Sequence, residues 1–250
     1  MIISEILKNS NIGISDSEII LADLLGKDRS FLFAHPEYDV PNNLLVKIAK
    51  SYKRRKNQEP LAYILGYKEF YGFKFYVNKN VLVPRPETEE IINKVLSFMK
   101  RNTNSGLDIC DVGTGSGCIA VTLAKLLPQA KIYAIDKSKY ALKVARRNAK
   151  YHQVESRITF LEGELLEPLT KKVGIIVANL PYIKSDEIGN LESQISDWEP
   201  RIALDGGTNG MNHYNRFFSQ VPKYLNKGGK IWYEINGKIY SNPGKFKKIS

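Results

Sequence analysis

The chain has 250 residues, of which 43% are hydrophobic, 10% aromatic and 25% charged. This apolar content excludes general disorder, and the length suits one large domain or two smaller ones at roughly 100–200 residues each. The sequence has no run of roughly 18 apolar residues, the length that spans a membrane. Its N-terminal stretch carries acidic residues early and does not resemble a secretory signal. We therefore expect a cytoplasmic protein that does not enter a membrane.

Cysteine and histidine are too few for a disulfide framework or a zinc site. The two cysteines are Cys110 and Cys118, and the three histidines are scattered, so we expect reduced thiols and no metal. The 37 basic residues exceed the 26 acidic ones and give a net charge of +11. This excess favours an RNA, DNA or ribosome-associated partner, but lysine is abundant along the whole chain, and a generally basic solvated surface is the simpler explanation.

Residues 2–56 repeat apolar side chains at the spacing of amphipathic helices. Asp16 followed by the run SEIILADLLG predicts a capped helix that ends at Gly26. The basic tetrad at residues 53–56 is typical of a solvated helix terminus, with a contact to a polyanion as the alternative. These patterns predict a small helical bundle over residues 1–70.

The pattern becomes β-like between residues 67 and 83. Aromatic and polar residues alternate around Gly72, and residues 78–80 carry a turn signal. We expect a β-hairpin here that connects two domains. The following sequence PRPETEE at residues 84–90 predicts a helix start, since its three glutamates suit the positive end of a helix.

From residue 107 onward, predicted strands and helices alternate along the chain. The predicted strands are LDICDV, KIYAID, RITFLE, VGIIVAN and GGKIWYEI, and the helices between the first three are GCIAVTLAKLL and SKYALKVARRNAKYH. Alternation with nearly continuous apolar strands predicts an α/β fold with a parallel, doubly wound sheet and helices on both faces.

A glycine-rich loop, DVGTGSG at residues 111–117, follows the first strand of this region and opens a helix. Glycines there allow a tight turn and let a ligand lie against backbone amides at a helix N-terminus. Asp136 ends the second strand, where a carboxylate can accept both hydroxyls of a ribose. The loop and the carboxylate together predict an adenosine-containing cofactor.

The glycine pattern and the charge of the loop distinguish between two such cofactors, NAD and S-adenosylmethionine. A dinucleotide site has the pattern G-x-G-x-x-G, whereas Gly113, Gly115 and Gly117 alternate here and Cys118 follows. Asp111 at the loop entrance would repel a pyrophosphate but not a cationic sulfonium amino acid. The sequence therefore favours S-adenosylmethionine over NAD.

The tetrad Asn-Leu-Pro-Tyr at residues 179–182 ends the fourth strand, at the edge where open α/β sheets bind ligands. A simple proline turn is the structural alternative. The planar –NH2 of an amide or a nucleobase is a poor nucleophile, because its lone pair is delocalised. The side-chain oxygen of Asn179 and the carbonyl of Leu180 can accept its two hydrogens and align it with a methyl donor, while Tyr182 lies on its face.

These motifs resemble those of the HemK/PrmC family of release-factor glutamine methyltransferases, from the helical region to about Glu234. The matching stretches are EPLAYILG at 59–66, EFYG at 69–72, VPRPETE at 83–89, DVGTGSG at 111–117, Asp136, NLPY at 179–182 and WEPRIAL at 198–204. The stretches RPETE and EPRIAL are far more specific to the family than the glycine loop.

The resemblance implies an N-terminal helical domain for substrate recognition over residues 1–70 and a hairpin linker over 71–84. A class I, Rossmann-like S-adenosylmethionine-dependent methyltransferase domain would follow over 85–250. It also implies an enzyme that methylates N5 of the glutamine in the Gly-Gly-Gln motif of class 1 peptide chain release factors, which are then its protein partners.

The resemblance also implies two overlapping sets of site residues. The S-adenosylmethionine set is Arg85, Glu87, Thr88, Gly113, Thr114, Gly115, Ser116, Gly117, Asp136, Glu164, Leu165 and Asn179. The substrate set is Asn179, Leu180, Pro181 and Tyr182, with Asn179 and Tyr182 as catalytic residues. For residues 85–88, a helix start with an acidic first turn is the structural alternative.

Two departures from the family keep other functions open. Leu180 stands where the family usually has a second proline, and the resulting tetrad is similar to that of rRNA adenine dimethyltransferases, so N6-adenine methylation of rRNA or DNA is the alternative. Only 15 residues follow the strand GGKIWYEI, so we expect the last helix and two strands of the domain to be missing. Residues 231–233 would then lie at an open sheet edge and favour self-association, and a binding protein without catalysis is the third hypothesis.

Overall fold

The computed structural model describes residues 1–101 and 108–241, which fall into two compact units. The first unit contains residues 1–66 together with residues 193–198, and the second contains the described residues of 67–192 and 199–250. The domain boundaries placed at residues 70 and 84 stay a prediction. No helix among the described residues has the length and apolar character needed to cross a membrane.

The first unit is a bundle of short helices, as its apolar spacing predicts. Its helices are α1 (Ile3–Lys8), α2 (Ile14–Leu25), α3 (Arg29–Ala34), α4 (Asn42–Lys56), α5 (Leu61–Leu65) and α9 (Ser193–Ser196). The core is formed by buried side chains such as Ile3, Leu21 and Ile48. α2 ends at Gly26, which has a left-handed φ of 64°.

The predicted cap at Asp16 is wrong. α2 begins at Ile14, and the Gly13 carbonyl accepts the backbone N–H of Ser17 at 3.0 Å, so Asp16 lies in the first turn. Its carboxylate instead accepts a hydrogen bond from Arg55 Nε at 2.6 Å.

The basic tetrad at the end of α4 serves the bundle itself. Arg54 donates to both carboxylate oxygens of Glu59, and Arg55 pairs with Asp16. Lys53 and Lys56 are exposed. Because two of the four cations are bound within the unit, the structure favours the helix-terminus interpretation over a polyanion site.

The second unit is the predicted α/β domain with helices on both faces of a sheet. Its strands are β1 (Tyr67–Phe70), β2 (Phe73–Tyr76), β3 (Asp108–Val112), β4 (Lys131–Asp136), β5 (Ile158–Glu162), β6 (Val173–Ala178), β7 (Leu225–Ile235) and β8 (Lys238–Ser241). Its α-helices are α6 (Glu89–Arg101), α7 (Cys118–Leu126), α8 (Lys139–Tyr151) and α10 (Asn212–Tyr224). β1 and β2 form the predicted hairpin, and the larger sheet has the order β5-β4-β3-β6-β7-β8. Its first five strands are parallel.

The alternation of side chains along the strands builds two cores, one on each face. Ile109 and Ile175 pack in the core that includes residues of α6, α7 and α8. Their neighbours Cys110 and Ile176 point to the opposite face, where aromatic residues of α10 pack. The parallel sheet is therefore covered on both sides, which is why its strands are continuously apolar.

The expected open edge at residues 231–233 is wrong. β8 pairs antiparallel with β7, and the rings of Tyr233 and Tyr240 stack with centroids 5.5 Å apart. Asn236 and Gly237, which join the two strands, both have positive φ values, as a type I′ hairpin turn requires. β8 thus covers β7 at residues 232–235. Among the described residues the sheet ends in this four-residue strand, which begins with a lysine, a common way to limit edge pairing.

Candidate active site

A cleft in the second unit lies at the carboxyl ends of β3, β4 and β6. It brings together most of the residues predicted from the sequence: Arg85, Thr88, Gly113, Thr114, Gly115, Ser116, Asp136, Glu164, Leu165, Asn179, Leu180 and Pro181. Three others, Glu87, Gly117 and Tyr182, are not among the residues that line it. Apolar side chains, among them Leu82 and Ile135, complete the walls.

The glycine loop is held against β4, and a side chain at Gly117 would be both strained and crowded. The backbone N–H groups of Gly113 and Thr114 both donate to the Ile135 carbonyl at 2.9 Å. Gly117 has a φ of +79°, and a Cβ there would lie 3.0 Å from that of Ala145. Gly117 therefore allows the start of α7 to pack against α8, which explains why it shapes the loop without lining the cleft.

Asp136 holds the glycine loop in place through a hydrogen bond to its backbone. Its Oδ2 accepts the backbone N–H of Gly115 at 2.9 Å, and its Oδ1 accepts that of Ser138 at 2.8 Å. Burial raises the pKa of Asp136, and these two hydrogen bonds oppose that shift. Since each carboxylate oxygen has a second acceptor position, the side chain can still receive the hydroxyls of a ribose.

Asp111 is a buried carboxylate with an unsatisfied oxygen. Its Oδ2 accepts from Thr114 Oγ1 at 2.6 Å and from the Ala120 N–H at 3.2 Å, whereas its Oδ1 is buried without a partner. Burial raises the pKa of Asp111 to about 7. A buried, unpaired carboxylate is costly, so a cation in the neighbouring cleft would stabilise its ionised form. The glycine loop, Asp136 and Asp111 together fit a ligand that carries both an adenosine and a positive charge.

Glu164 lies in the cleft wall but is already engaged at its rim. Its Oε1 accepts from Arg216 at 3.2 Å and lies 3.8 Å from His213 Nδ1. Across residues 1–101 and 108–241, no group of three or more histidine, cysteine, aspartate or glutamate side chains is arranged to hold a metal ion.

The tetrad at residues 179–182 presents two acceptors without donors. Asn179 Nδ2 donates to Thr88 Oγ1 and to Glu234 Oε2, each at 3.0 Å. The Leu180 N–H donates to the hydroxyl of Tyr214 at 3.1 Å, and that hydroxyl donates to the Glu234 backbone carbonyl. No described residue donates to Asn179 Oδ1 or to the Leu180 carbonyl oxygen. Both oxygens belong to residues that line the cleft.

Sequence reasoning missed two of the residues that hold this tetrad. Glu234 and Tyr214 are both buried, at 2% and 0% exposure. For Glu234 a signal was present, because a carboxylate stands directly after the apolar run Ile-Trp-Tyr in a strand and buried charges need partners. Nothing comparable marks Tyr214, which reads as an ordinary aromatic residue of an amphipathic helix.

An ion pair joins the two most family-specific stretches of the sequence. Arg85 Nη2 donates to Glu199 Oε1 at 2.7 Å, and the carboxylate of Glu199 is 2% exposed. Burial raises the pKa of Glu199, and Arg85 opposes this shift. The stretches RPETE and EPRIAL thus meet at one charged contact beside the cleft.

Comparison with known proteins assigns both parts of the chain. Residues 3–66 match the family described as PrmC N-terminal domain, and residues 103–240 match a family described as Methyltransferase domain. Among solved structures, a methyltransferase from Pyrococcus furiosus is 16% identical, covers 77% of this chain and 78% of its own, and has a TM-score of 0.45.

Curated relatives are much more similar. The release factor glutamine methyltransferase of Clostridium acetobutylicum is 39% identical over 230 residues, which are 91% of this chain and 80% of the relative. Relatives of the same name from Thermodesulfovibrio yellowstonii and Geobacter sulfurreducens are 37% and 38% identical, over 93% and 88% of this chain and 83% and 76% of their own. The chain therefore belongs to the release factor glutamine methyltransferase family.

Proposed function

We propose that this enzyme transfers a methyl group from S-adenosylmethionine to N5 of the glutamine in the Gly-Gly-Gln motif of class 1 release factors. The main support for this proposal is a pair of acceptors at the cleft, Asn179 Oδ1 and the Leu180 carbonyl oxygen, to which no described residue donates a hydrogen bond. A primary amide has two hydrogens to offer to two such oxygens. The names of the relatives support the same substrate.

The residues of the site would act on the substrate amide by orientation and electrostatics. When bound, S-adenosylmethionine supplies an electrophilic methyl group on a sulfonium centre. Asn179 and Leu180 would hold the amide nitrogen in line with that methyl group and stabilise the positive charge that develops on the nitrogen. Tyr182 is half-buried and follows the cleft residue Pro181 without lining the cleft itself, so its ring would have to turn toward the cleft to lie on the flat face of the amide. The nitrogen–carbon bond would form as the carbon–sulfur bond of the sulfonium breaks, leaving a neutral thioether. No strong base is needed beforehand, because the amide proton becomes acidic only as the new bond forms and can then be lost to solvent.

The cofactor would be held mainly by β3 and β4. Asp136 would accept the ribose hydroxyls, and the glycine loop would lie against the methionine portion. Leu165 and the other apolar lining residues offer a surface for the adenine ring. Asp111 would add a negative charge beneath the loop, near the cationic end of the ligand.

Cofactor affinity is expected to rise with pH through the titration of Asp111. Its pKa of about 7 lies above the ordinary value of 3.8, so at acidic pH the folded protein keeps a proton that a cationic ligand must displace. Affinity should therefore fall by up to about tenfold per pH unit below 7 and level off above it. Asp136, with a raised pKa, and His213, whose protonation adds a positive charge at the cleft, act in the same direction.

Calorimetry with S-adenosylmethionine from pH 5.5 to 8.5 checks this expectation. Asp111→Asn should reduce the slope below pH 7. Asp108→Asn is the matched control, because Asp108 lies at the other end of β3 and pairs with Lys171. If the affinity of Asp111→Asn depended on pH as steeply as that of the wild type, the Asp111 carboxylate would not interact with the ligand.

The proposed function is tested by following labelled methyl transfer. A purified class 1 release factor, ribosomal RNA and DNA are each incubated with the enzyme and radiolabelled S-adenosylmethionine. We expect label in the release factor and none in either nucleic acid. Transfer to adenine would replace the proposal with the N6-adenine alternative, and cofactor binding without any transfer would point to a non-catalytic protein.

A further inference from the structure

We propose that Glu234 is a positioning residue for methyl transfer, which fixes the side-chain amide of Asn179 with its oxygen toward the substrate. This inference rests on the proposed function and extends it to a residue on a different strand. It assigns to β7 a part in the reaction, in addition to its place in the sheet.

The side chains of Glu234, Thr88 and Asn179 are hydrogen-bonded to one another in a ring of three contacts. Its Oε2 accepts from Thr88 Oγ1 at 2.5 Å and from Asn179 Nδ2 at 3.0 Å, and Asn179 Nδ2 also donates to Thr88 Oγ1 at 3.0 Å. Thr88 is 3% exposed and Glu234 is 2% exposed. Thr88 donates its single hydroxyl proton to Glu234, so toward Asn179 its oxygen can only accept a hydrogen bond.

This arrangement allows one orientation of the Asn179 amide. An ionised carboxylate only accepts hydrogen bonds. If the amide were reversed, its Oδ1 would face Glu234 Oε2, and two acceptors would be buried against each other without a proton between them. The carboxylate therefore directs the nitrogen inward, and the oxygen is left for the substrate. Without Glu234, Asn179 could present either end of its amide to the cleft.

The negative charge of Glu234 is also expected to strengthen Asn179 Oδ1 as an acceptor for the substrate. A negative charge behind the amide polarises it and makes Oδ1 a stronger acceptor for a nitrogen that becomes positive. The charged and titratable groups that face Glu234 are Glu87, Arg85, Tyr182 and, from α10, Tyr214. Burial and Glu87 raise the pKa of Glu234, whereas its hydrogen bonds and Arg85 lower it, with a net rise above the ordinary value of 4.5.

The first test compares Glu234→Gln with the wild-type enzyme at saturating S-adenosylmethionine, so that Asp111 and Asp136 do not contribute through cofactor binding. We expect kcat to fall by about 10-fold to 100-fold, with the KM for the release factor and the affinity for the cofactor changed by less than about threefold. Because the pKa of Glu234 is raised, we also expect the wild-type kcat to rise with pH as Glu234 loses its proton, and this dependence should disappear in the variant. Glu234→Asp, which keeps the charge, should recover part of the rate.

A matched control is Glu90→Gln, which removes an exposed carboxylate paired with Lys94 on α6; its kcat and pH profile should equal those of the wild type. Cofactor affinity and thermal unfolding of Glu234→Gln establish that the variant is folded. If the release factor is methylated by both proteins with the same kcat and pH profile, the positioning role is wrong while the proposed function stands.

A second readout does not depend on activity. In the ¹⁵N-labelled protein, the side-chain amide resonances of Asn179 should shift with pH as Glu234 titrates with a pKa above its ordinary value of 4.5, and this shift should vanish in Glu234→Gln. Resonances that do not respond to pH in the wild type would overturn the inference even if no methyl acceptor were found. An absence of methyl transfer by the wild type, together with Asn179 resonances that shift with pH, would instead overturn the proposed function.

Discussion

Replacing Asn179 with alanine is expected to lower kcat by on the order of 10²–10³, by analogy with the removal of one preorganised polar group. The amide nitrogen of glutamine shares its lone pair with its carbonyl, so its barrier to alkylation is high. Asn179 Oδ1 would stabilise positive charge that exists mainly in the transition state, and such an interaction lowers kcat when it is lost rather than raising KM alone. The measurement is steady-state methyl transfer to a release factor.

Cofactor affinity should change little in Asn179→Ala, since Asp136 and the glycine loop remain in place. Asn190→Ala is the matched control, because Asn190 is exposed in the turn Ile188–Asn190 and does not line the cleft. Near-normal transfer by Asn179→Ala would mean that the tetrad at residues 179–182 is a structural turn and that the amide is held elsewhere.

Replacing Asp136 with alanine is expected to weaken S-adenosylmethionine binding by at least about tenfold, because charge-assisted hydrogen bonds contribute about 1.5–3 kcal/mol each. The structure gives a second reason for a large effect. The carboxylate also accepts the backbone N–H groups of Gly115 and Ser138, so the variant would lose the contact that fastens the loop to the end of β4.

Calorimetry measures this loss, and thermal unfolding separates it from a general loss of folding. Asp186→Ala removes an exposed aspartate outside the cleft and should bind the cofactor as the wild type does. An unchanged affinity in Asp136→Ala would remove Asp136 from the cofactor site.

Much of the second unit could be predicted because its strands are buried on both faces. β4 has the predicted bounds, and β3, β5 and β6 begin or end within one residue of them. In such strands the apolar run and the strand coincide, and turn residues mark both ends. The same logic places the glycine loop, Asp136 and the tetrad at one edge, since the carboxyl ends of parallel strands meet there.

What the sequence could not supply is which strands are neighbours. Glu234 and Asn179 are 55 residues apart and meet because β6 pairs with β7, a fact that depends on strand order. Tyr214 reaches the tetrad from α10 for the same reason. The pairing of β7 with β8, in contrast, could be predicted, because Asn-Gly at residues 236–237 is a strong hairpin signal.

The site that we propose methylates the side-chain amide nitrogen of a glutamine. Tandem mass spectrometry of a release factor incubated with the enzyme and S-adenosylmethionine tests it most directly. We expect one added methyl group on the glutamine of the Gly-Gly-Gln motif, attached to its amide nitrogen, and none after that glutamine is replaced by alanine. A methyl group on another residue, or an unmodified Gly-Gly-Gln glutamine beside methylated adenine in RNA, would contradict it.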